Sequence, residues 1–291
     1  MYLKHKKANQ IFDTTIYLVT VLAVILCIVP VINVIAVSLS SNSAILGGKV
    51  FLIPREISLE AYKAILRDGT MLWSLGYTVL LTLGYTLLAM TLTVFAAYPL
   101  TKKRLKGRNL ILLLIVFTMY FSGGIIPDYL LVKNLGLIDK VLALILPGAV
   151  SAFNLIVLKS FFQTLPESLE ESAILDGCND IGVLFRIILP LSKPALATIS
   201  LYYAVGKWNS LQDALFYISN QKLFPLQLKL YQIVVNSQAL DVSMGDNSSA
   251  NILPESLKNA CVVFATLPIV LVYPKLQKYF VSGVTIGAVK G

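Results

Sequence analysis

Acidic side chains dominate a polar interruption, residues 167–194, that lies between two strongly apolar parts of the chain. The carboxylates of this stretch are Glu167, Glu170, Glu171, Asp176 and Asp180. A charged group does not enter lipid without a partner, so we expect the stretch to lie outside the bilayer. Its length and its helix-breaking Gly177 suggest a surface on which a second protein docks.

Residues for catalysis or metal binding are scarce. The only histidine, His5, lies in a Lys-rich start and is expected to act as flanking charge. Cys27, Cys178 and Cys261 form no C-x-x-C pair, so neither a disulfide framework nor a metal site is predicted. No G-x-x-x-x-G-K-[ST] phosphate loop occurs, so the chain is not expected to supply ATP chemistry. We therefore predict no catalytic residue, no metal and no cofactor in this chain.

The composition is that of an integral membrane protein. Hydrophobic residues make up 57% of the 291 positions and charged residues only 13%, against about 25% charged in soluble domains. The formal net charge of +9 does not indicate nucleic-acid binding, because the basic residues lie beside apolar runs, where they anchor spans to the inner face. The first apolar run is longer than a signal-peptide core, so a retained span is predicted.

Six apolar runs predict six transmembrane helices in one domain covering 1–291. An all-α fold is expected because backbone polar groups in lipid must be satisfied within the segment. The predicted spans are about 15–39, 71–98, 110–126, 141–162, 195–216 and 257–276.

Lysine and arginine predict the orientation. With the N-terminus in the cytoplasm, fourteen cations fall inside and nine outside. The short loop that follows the second span, T-K-K-R-L-K-G-R, carries the sharpest bias, and short loops are where the positive-inside rule acts most strongly. Both termini and the acidic loop are then cytoplasmic.

The predicted outer segments differ in length. Residues 40–70 are predicted to contain a short amphipathic helix, and residues 128–140 are predicted to form a short connection. Residues 217–256 read as a long polar loop, which either contacts a partner or is disordered.

The acidic loop itself predicts a helical hairpin, residues 164–193. Thr164 and Glu167 have capping-box spacing, with Pro166 in the first turn. A helix over 165–176 should end at Gly177, and a second helix over 181–189 should lead to Pro190. On these grounds alone, a solvated connector and a docking element are equally acceptable.

The loop contains, in order, Glu171-Ser172-Ala173, Asp176-Gly177-Cys178, Phe185 and Ile187-Ile188-Leu189-Pro190. In type and spacing these residues resemble the EAA signature of ABC-importer permeases. Ser172 and Cys178 replace the usual alanines, but both are small. GGIIPDYLLVKNLGL (123–137), YYAVGKWN (202–209) and the terminal segment 273–291 resemble the carbohydrate branch, specifically the second permease of maltose-transporter-like oligosaccharide systems. The resemblance covers essentially the whole chain.

The resemblance implies a type I importer fold in a bacterial plasma membrane and a role as half of a translocation pathway. The implied partners are a homologous second permease, a dimer of cytoplasmic ATPase subunits that binds ATP and Mg, an extracellular substrate-binding protein and membrane lipid. The hairpin would be the coupling helix. The residues implied for coupling are Glu171, Ser172, Ala173, Asp176, Gly177 and Cys178. The tail 283–291 either reaches toward the ATPase or is a flexible end.

Polar residues inside spans mark a possible substrate path, because such residues tend to face the bundle interior. They are Asn154, Lys207, Trp208, Asn209, Gln212 and Asp213. Trp208 has the right chemistry to stack on a sugar, and Asn209 and Gln212 to bond hydroxyls. The alternatives are an interfacial Trp208 and an Asp213 that reaches toward the membrane surface. Lys207 and Asp213 are six positions apart, so no helical ion pair is predicted. No residue specifies an acidic sugar.

Two other functions compete. An ion-driven secondary transporter would show internal repeats around ionisable residues at the membrane midplane, and no repeat of the hairpin occurs. A membrane enzyme would need convergent acid–base or metal-binding residues, for which the chain offers little.

Overall fold

The computed structural model describes the backbone of residues 2–243 and 255–288, and side chains over 12–67, 69–235 and 255–271. Within these residues the fold is helical, and the one β interaction is an isolated bridge between Ser40 and Ile57. The α-helices are α1 (Tyr2–Ser38), α2 (Asn42–Leu46), α3 (Glu60–Asp68), α4 (Thr70–Ala97), α5 (Arg108–Tyr120), α6 (Ile125–Asn134), α7 (Val141–Ile145), α8 (Ala152–Phe162), α9 (Glu167–Leu175), α10 (Asp180–Val183), α11 (Leu189–Leu191), α12 (Lys193–Trp208), α13 (Gln212–Tyr217), α14 (Leu226–Ser243) and α15 (Glu255–Ala288).

Contacts divide the chain into two compact units. The first contains the described parts of Met1–Leu72 and Leu230–Leu267. Here the segment after α1 folds back on itself, since Ser58 N donates to Leu39 O at 2.9 Å and Ser38 Oγ bonds the Tyr62 hydroxyl at 2.8 Å. Ser256 Oγ donates to Asn42 Oδ1 at 2.9 Å, which joins the start of α15 to α2.

The second unit contains Trp73–Lys229 and the described part of Pro268–Gly291. One of its two apolar cores unites α4, α8, α12 and the hairpin around Leu158, Val183 and Ile199, all fully buried. The other unites α4, α6, α7 and α13 around Leu144 and Ala214.

Polar bonds fix α13 within the second core. Asp139 accepts from Asn220 N at 2.8 Å and donates its own N–H to Tyr217 O at 2.9 Å. On α4, Thr78 Oγ1 accepts from Leu226 N at 2.8 Å. These bonds hold both ends of the segment 217–226, which follows α13, and thereby fix the position of α13.

Two described helical stretches are long and apolar enough to cross a membrane, Phe12–Ser38 and Thr70–Thr101. They match the first two predicted spans. Two further pairs qualify only if each bent pair is one span: α5 with α6, bent by 115°, and Asp180–Leu191 with α12, bent by 84°. The predicted count of six spans stays a prediction.

The predicted third and fourth spans are broken in the structure. The third stops at Tyr120, and Gly124, with φ +91°, redirects the chain into α6. The fourth consists of α7 and α8, separated by a turn at Pro147 and Gly148. Both breaks fall at Gly or Pro, where a backbone leaves the helix at low cost.

The prediction of a long polar loop over 217–256 is wrong for much of that range. Leu226–Ser243 is helical, because the buried Leu226 and Leu228 anchor its first turns in the second core. The remainder of that predicted loop, 244–254, and the end of the tail, 289–291, lie outside the described residues.

Candidate functional site

The turn of the hairpin is built as predicted at Gly177. Its φ is +84°, and Cys178 N donates to Ala173 O at 2.9 Å while Gly177 N donates to Ile174 O at 3.0 Å. These two bonds form a Schellman motif, which satisfies the last carbonyls of α9 and favours glycine at the left-handed position. A Cβ at Gly177 would meet no atom within 4 Å, so the requirement for glycine comes from the backbone alone.

The predicted capping box at the start of the hairpin is wrong. Thr164 Oγ1 donates backwards to Phe161 O at 2.7 Å, and Pro166 is the residue that precedes the first helical turn, with no side-chain cap. The helix therefore begins at Glu167. The second helix has a cap that the sequence analysis missed, since Asn179 Oδ1 accepts from Gly182 N at 2.8 Å.

The hairpin packs on the first core through one face and exposes the other. Ala173 and Leu184 are buried there. Away from this core, Leu175 is 88% exposed and Ile181 is exposed as well, whereas the exposed ring of Phe185 lies edge-on to that of Phe95 on α4. Apolar side chains thus form part of a surface that is otherwise charged, which is typical of a protein contact.

Three of the five hairpin acids bind the cationic loop 102–104. Glu170 pairs with Lys102, Glu167 with Lys103 at 3.5 Å, and Asp180 with Arg104. The Lys102–Glu170 pair is the most enclosed, at 17% and 19% exposure, and the Lys102 ammonium also lies 4.3 Å from the centre of the Tyr98 ring. The loop with the strongest positive bias thus holds the hairpin in place.

The other two acids, Glu171 and Asp176, make no ion pair within the described residues and are exposed. They are also the two acids that match the EAA signature. Ser172 beside them is exposed and Cys178 is half-buried. The hairpin therefore presents its motif acids outward and uses its other acids internally.

A separate cavity of about 550 Å³ lies within the second unit. Its wall combines α4, α6, the turn after α7 and the junction of α12 with α13. The lining residues are Tyr85, Asp128, Leu131, Val132, Leu135, Leu137, Leu146, Pro147, Gly148, Gly206, Lys207, Ser210, Asp213 and Tyr217.

An ion pair that the sequence analysis did not predict lies in this cavity. Lys207 Nζ lies 3.0 Å from Asp213 Oδ2, and Ser210 Oγ donates to the same oxygen at 3.2 Å. The pair forms because α12 ends at Trp208 and α13 begins at Gln212, so the break brings the two side chains together. The i, i+4 spacing of a continuous helix does not apply across this break.

The aromatic wall of the cavity orders the lysine. The ammonium of Lys207 lies 5.0 Å from the ring centre of Tyr85, within cation–π range. The hydroxyl of Tyr85 donates to Gly148 O at 2.7 Å, which fixes the ring. The Lys207 side chain is only 5% exposed, whereas that of Asp213 is 31% exposed.

Of the six polar residues predicted for a substrate path, the cavity lining includes Lys207 and Asp213. Asn154 is buried in the first turn of α8. Trp208 is buried with no hydrogen bond to its Nε1, and Asn209 donates to Val205 O at 3.0 Å at the end of α12. Gln212 is exposed. No group of three or more potential metal ligands occurs among the described residues.

Comparison with known proteins identifies the family. A family described as "Binding-protein-dependent transport system inner membrane component" matches residues 74–286. The "Polygalacturonan/rhamnogalacturonan transport system permease protein YtcP" of Bacillus subtilis (strain 168) is 46% identical, over 97% of this chain and 99% of its own. "Protein LplC" of the same organism is also 46% identical, over 98% and 97%.

A solved structure is similar as well. It is the crystal structure of a bacterial ABC transporter involved in the import of the acidic polysaccharide alginate, matched with a TM-score of 0.86 and 32% identity. The match covers 94% of this chain and 98% of that one. The predicted type I importer fold and bacterial membrane location are thereby confirmed. The chain belongs to the inner membrane components of binding-protein-dependent transport systems, which are permease subunits of ABC transporters and not enzymes.

Proposed function

We propose that the chain is one of two permease subunits in an ATP-driven importer of carbohydrate, with oligosaccharides as the substrate class. The observation that carries the proposal is the family match over residues 74–286 together with the names of its relatives. Two relatives whose names state a substrate are the polygalacturonan/rhamnogalacturonan permease and an arabinooligosaccharide permease, the latter 28% identical over 99% of this chain. Both names describe chains of several sugar units.

Energy would enter through the hairpin. Glu171 and Asp176, which make no ion pair within the described residues, would offer charge to an ATPase, and Leu175 and Ile181 would offer apolar area around it. The small side chains of Ser172, Ala173 and Cys178 allow a partner to approach closely, and Gly177 sets the turn. ATP and Mg would be bound by the ATPase, since the chain has no phosphate loop.

The anchoring of the hairpin suits it to transmit force. Its inner face shares a core with α4, α8 and α12, and Lys102 and Arg104 clamp it to the end of α4. A displacement imposed by an ATPase would therefore move packed helices and not a flexible loop, because well-packed interiors transmit strain.

The test is reconstitution of the importer. The tagged chain is purified from native membranes with its associated subunits, inserted into liposomes and loaded with ATP on the ATPase side. Uptake of a labelled oligosaccharide mixture is then measured with and without vanadate. The proposal predicts a second permease and an ATPase in the preparation and vanadate-sensitive uptake of saccharides. Uptake driven by an ion gradient without ATP would overturn it.

The matched control addresses the hairpin. Glu171→Lys should reduce recovery of the ATPase and uptake at least about tenfold, since reversal of a charge that meets a partner costs over ~1.4 kcal/mol. Glu167→Lys, the same change one turn earlier, should retain most of both, because its pair with Lys103 is 70–82% exposed and weak.

A further inference from the structure

We propose that the cavity around Lys207 and Asp213 is a subsite for an uncharged, hydroxyl-rich sugar unit and disfavours a unit that carries a carboxylate. Asp213 would accept hydrogen bonds from sugar hydroxyls, and Lys207 is a positioning residue that holds Asp213 in place. This inference rests on the proposed carbohydrate function. It adds the chemical class of sugar unit that this chain selects within the pathway.

The accessible group of the ion pair is the acid and not the base. Lys207 is 5% exposed and enclosed by the ring of Tyr85, whereas Asp213 is 31% exposed. Both internal donors, Lys207 Nζ and Ser210 Oγ, bind Oδ2. The other oxygen, Oδ1, has no hydrogen bond within the described residues. The cavity therefore offers an ionised acceptor, and hydroxyl groups of a sugar are donors that match it.

The charge of the lining also favours a neutral guest. Two carboxylates, Asp128 and Asp213, face one ammonium, Lys207, so the charged side chains of the wall sum to −1. The Asp128 carboxylate is exposed and makes no ion pair within the part of the chain that the structure describes. A uronate in the cavity would be repelled by Asp128 and would compete with Asp213 for Lys207, the one cation among the described lining residues.

Position and size fit a point on a transport path. Tyr85 lies 15 residues into the 28-residue helix α4, which is about 22 Å along its axis at 1.5 Å per residue. The cavity thus lies level with the interior of a membrane-spanning helix, where ionisable side chains usually serve function. Its volume of about 550 Å³ is that of a small-molecule site, and Tyr85 and Tyr217 add aromatic faces.

The names of the relatives include both acidic and neutral sugars, so the two classes have to be distinguished for this cavity. Alginate and polygalacturonan are acidic polymers, whereas arabinooligosaccharides and the trehalose and maltose of a 30% identical Thermococcus litoralis permease are neutral. The wall of this cavity matches the neutral group. If the whole substrate is acidic, its charged units bind elsewhere on the path.

The first test measures the charge of the cavity without any substrate. Leu135→Cys places a thiol in the lining, and the native chain gives the background of its own cysteines. In the assembled complex, a cationic trimethylammonium-ethyl thiosulfonate should label this thiol at least about threefold faster than an anionic sulfonatoethyl thiosulfonate. Adding Asp213→Asn should lower that rate ratio by about threefold or more, and the conservative Asp213→Glu should restore it. An anionic reagent that reacts equally fast or faster in the parent would overturn the subsite.

The second test measures selection in the reconstituted importer. Galactotriose and trigalacturonate, equal in length and differing in carboxylates, are supplied together, and the ratio of their uptake is measured. The ratio should favour galactotriose and fall at least about fivefold in Asp213→Asn. Lys207→Met should shift the uptake ratio further against trigalacturonate, and Lys207→Arg should restore the ratio of the parent. A merely structural role for Lys207 would not produce this shift in the ratio. A ratio unchanged by Asp213→Asn overturns the inference.

The two failures are distinguishable. ATP-driven saccharide uptake with an unaltered ratio rejects the subsite and leaves the proposed function intact. Absence of any ATP-driven saccharide uptake, with the labelling asymmetry present, rejects the proposed function and leaves a negatively charged cavity of other use.

Discussion

The hairpin and the cavity both contain Lys–acid pairs, but they use them in opposite ways. At the hairpin, three acids pair with the loop 102–104, and the two acids of the motif are exposed and make no ion pair in the described part of the chain. In the cavity, one lysine is almost fully enclosed and its acid partner faces the open volume. In each region the internal pairs fix the geometry, and the exposed acids remain for a partner or a guest.

The comparison teaches that position, more than charge, separates structural acids from functional ones. Glu170 and Glu171 are adjacent and chemically identical. The first is 19% exposed and bound to Lys102, and the second is exposed and unpaired among the described residues. Only the helical phase of α9 distinguishes them, so the two substitutions should have different consequences.

The largest effect is expected at the buried lysine. Lys207→Met leaves the carboxylate of Asp213, which is 31% exposed, without its cation, and this should lower the free energy of unfolding by about 2 kcal/mol. Thermal unfolding in detergent measures it. Lys103→Met, at 82% exposure, is the control and should cost less than about 1 kcal/mol. Equal losses would show that enclosure does not separate the two pairs.

A smaller effect is expected at the hairpin turn. Gly177→Ala forces an alanine to φ +84°, which should cost about 1–2 kcal/mol although the added Cβ has free space. Gly84→Ala, in the middle of α4 and also without a steric contact, should be neutral or stabilising. Hydrogen exchange should show faster opening of α9 in the first variant alone.

The smallest effect concerns an acid outside both regions. Hydrogen bonds from Ser41 and then Ser43 lower the pKa of Glu56 below its ordinary 4.5, with a smaller contribution from Lys49. Because the folded-state pKa is the lower one, this stabilisation is present above pH 4.5 and is lost as the pH falls through the lowered value. Limited proteolysis of segment 40–58 should therefore accelerate below pH 4.5, and Glu56→Gln should remove the difference. A pH profile unchanged by Glu56→Gln would contradict the assignment.

The hairpin was the part most accessible to prediction from sequence. Its polarity and Gly177 are local signals, and the structure places the turn at Gly177. Pro190, which was predicted to follow the end of the second helix, lies within α11 instead. The capping box failed because Thr164 bonds its own preceding turn instead. The helix breaks at Gly124 and Pro147–Gly148 carried a signal too, but such residues also occur in unbroken membrane helices.

The cavity could not be predicted from local sequence patterns. The Lys207–Asp213 pair depends on a helix break whose angle no spacing rule supplies, and the role of Asp128 depends on where α6 lies. Helix α14 was not predicted because its polar C-terminal half indicated a loop. The burial of Leu226 and Leu228, which stabilises its first turns, depends on tertiary packing.

The measurement that tests the central claim most directly compares Glu170→Lys with Glu171→Lys. Each variant is purified from native membranes, and both its thermal midpoint and the amount of co-purified ATPase are recorded. We expect Glu171→Lys to keep the midpoint of the parent and lose the ATPase, and Glu170→Lys to lower the midpoint by several degrees because it opposes Lys102. A Glu171→Lys variant that retains the ATPase, or that loses as much stability as Glu170→Lys, would contradict the division between internal and outward-facing acids.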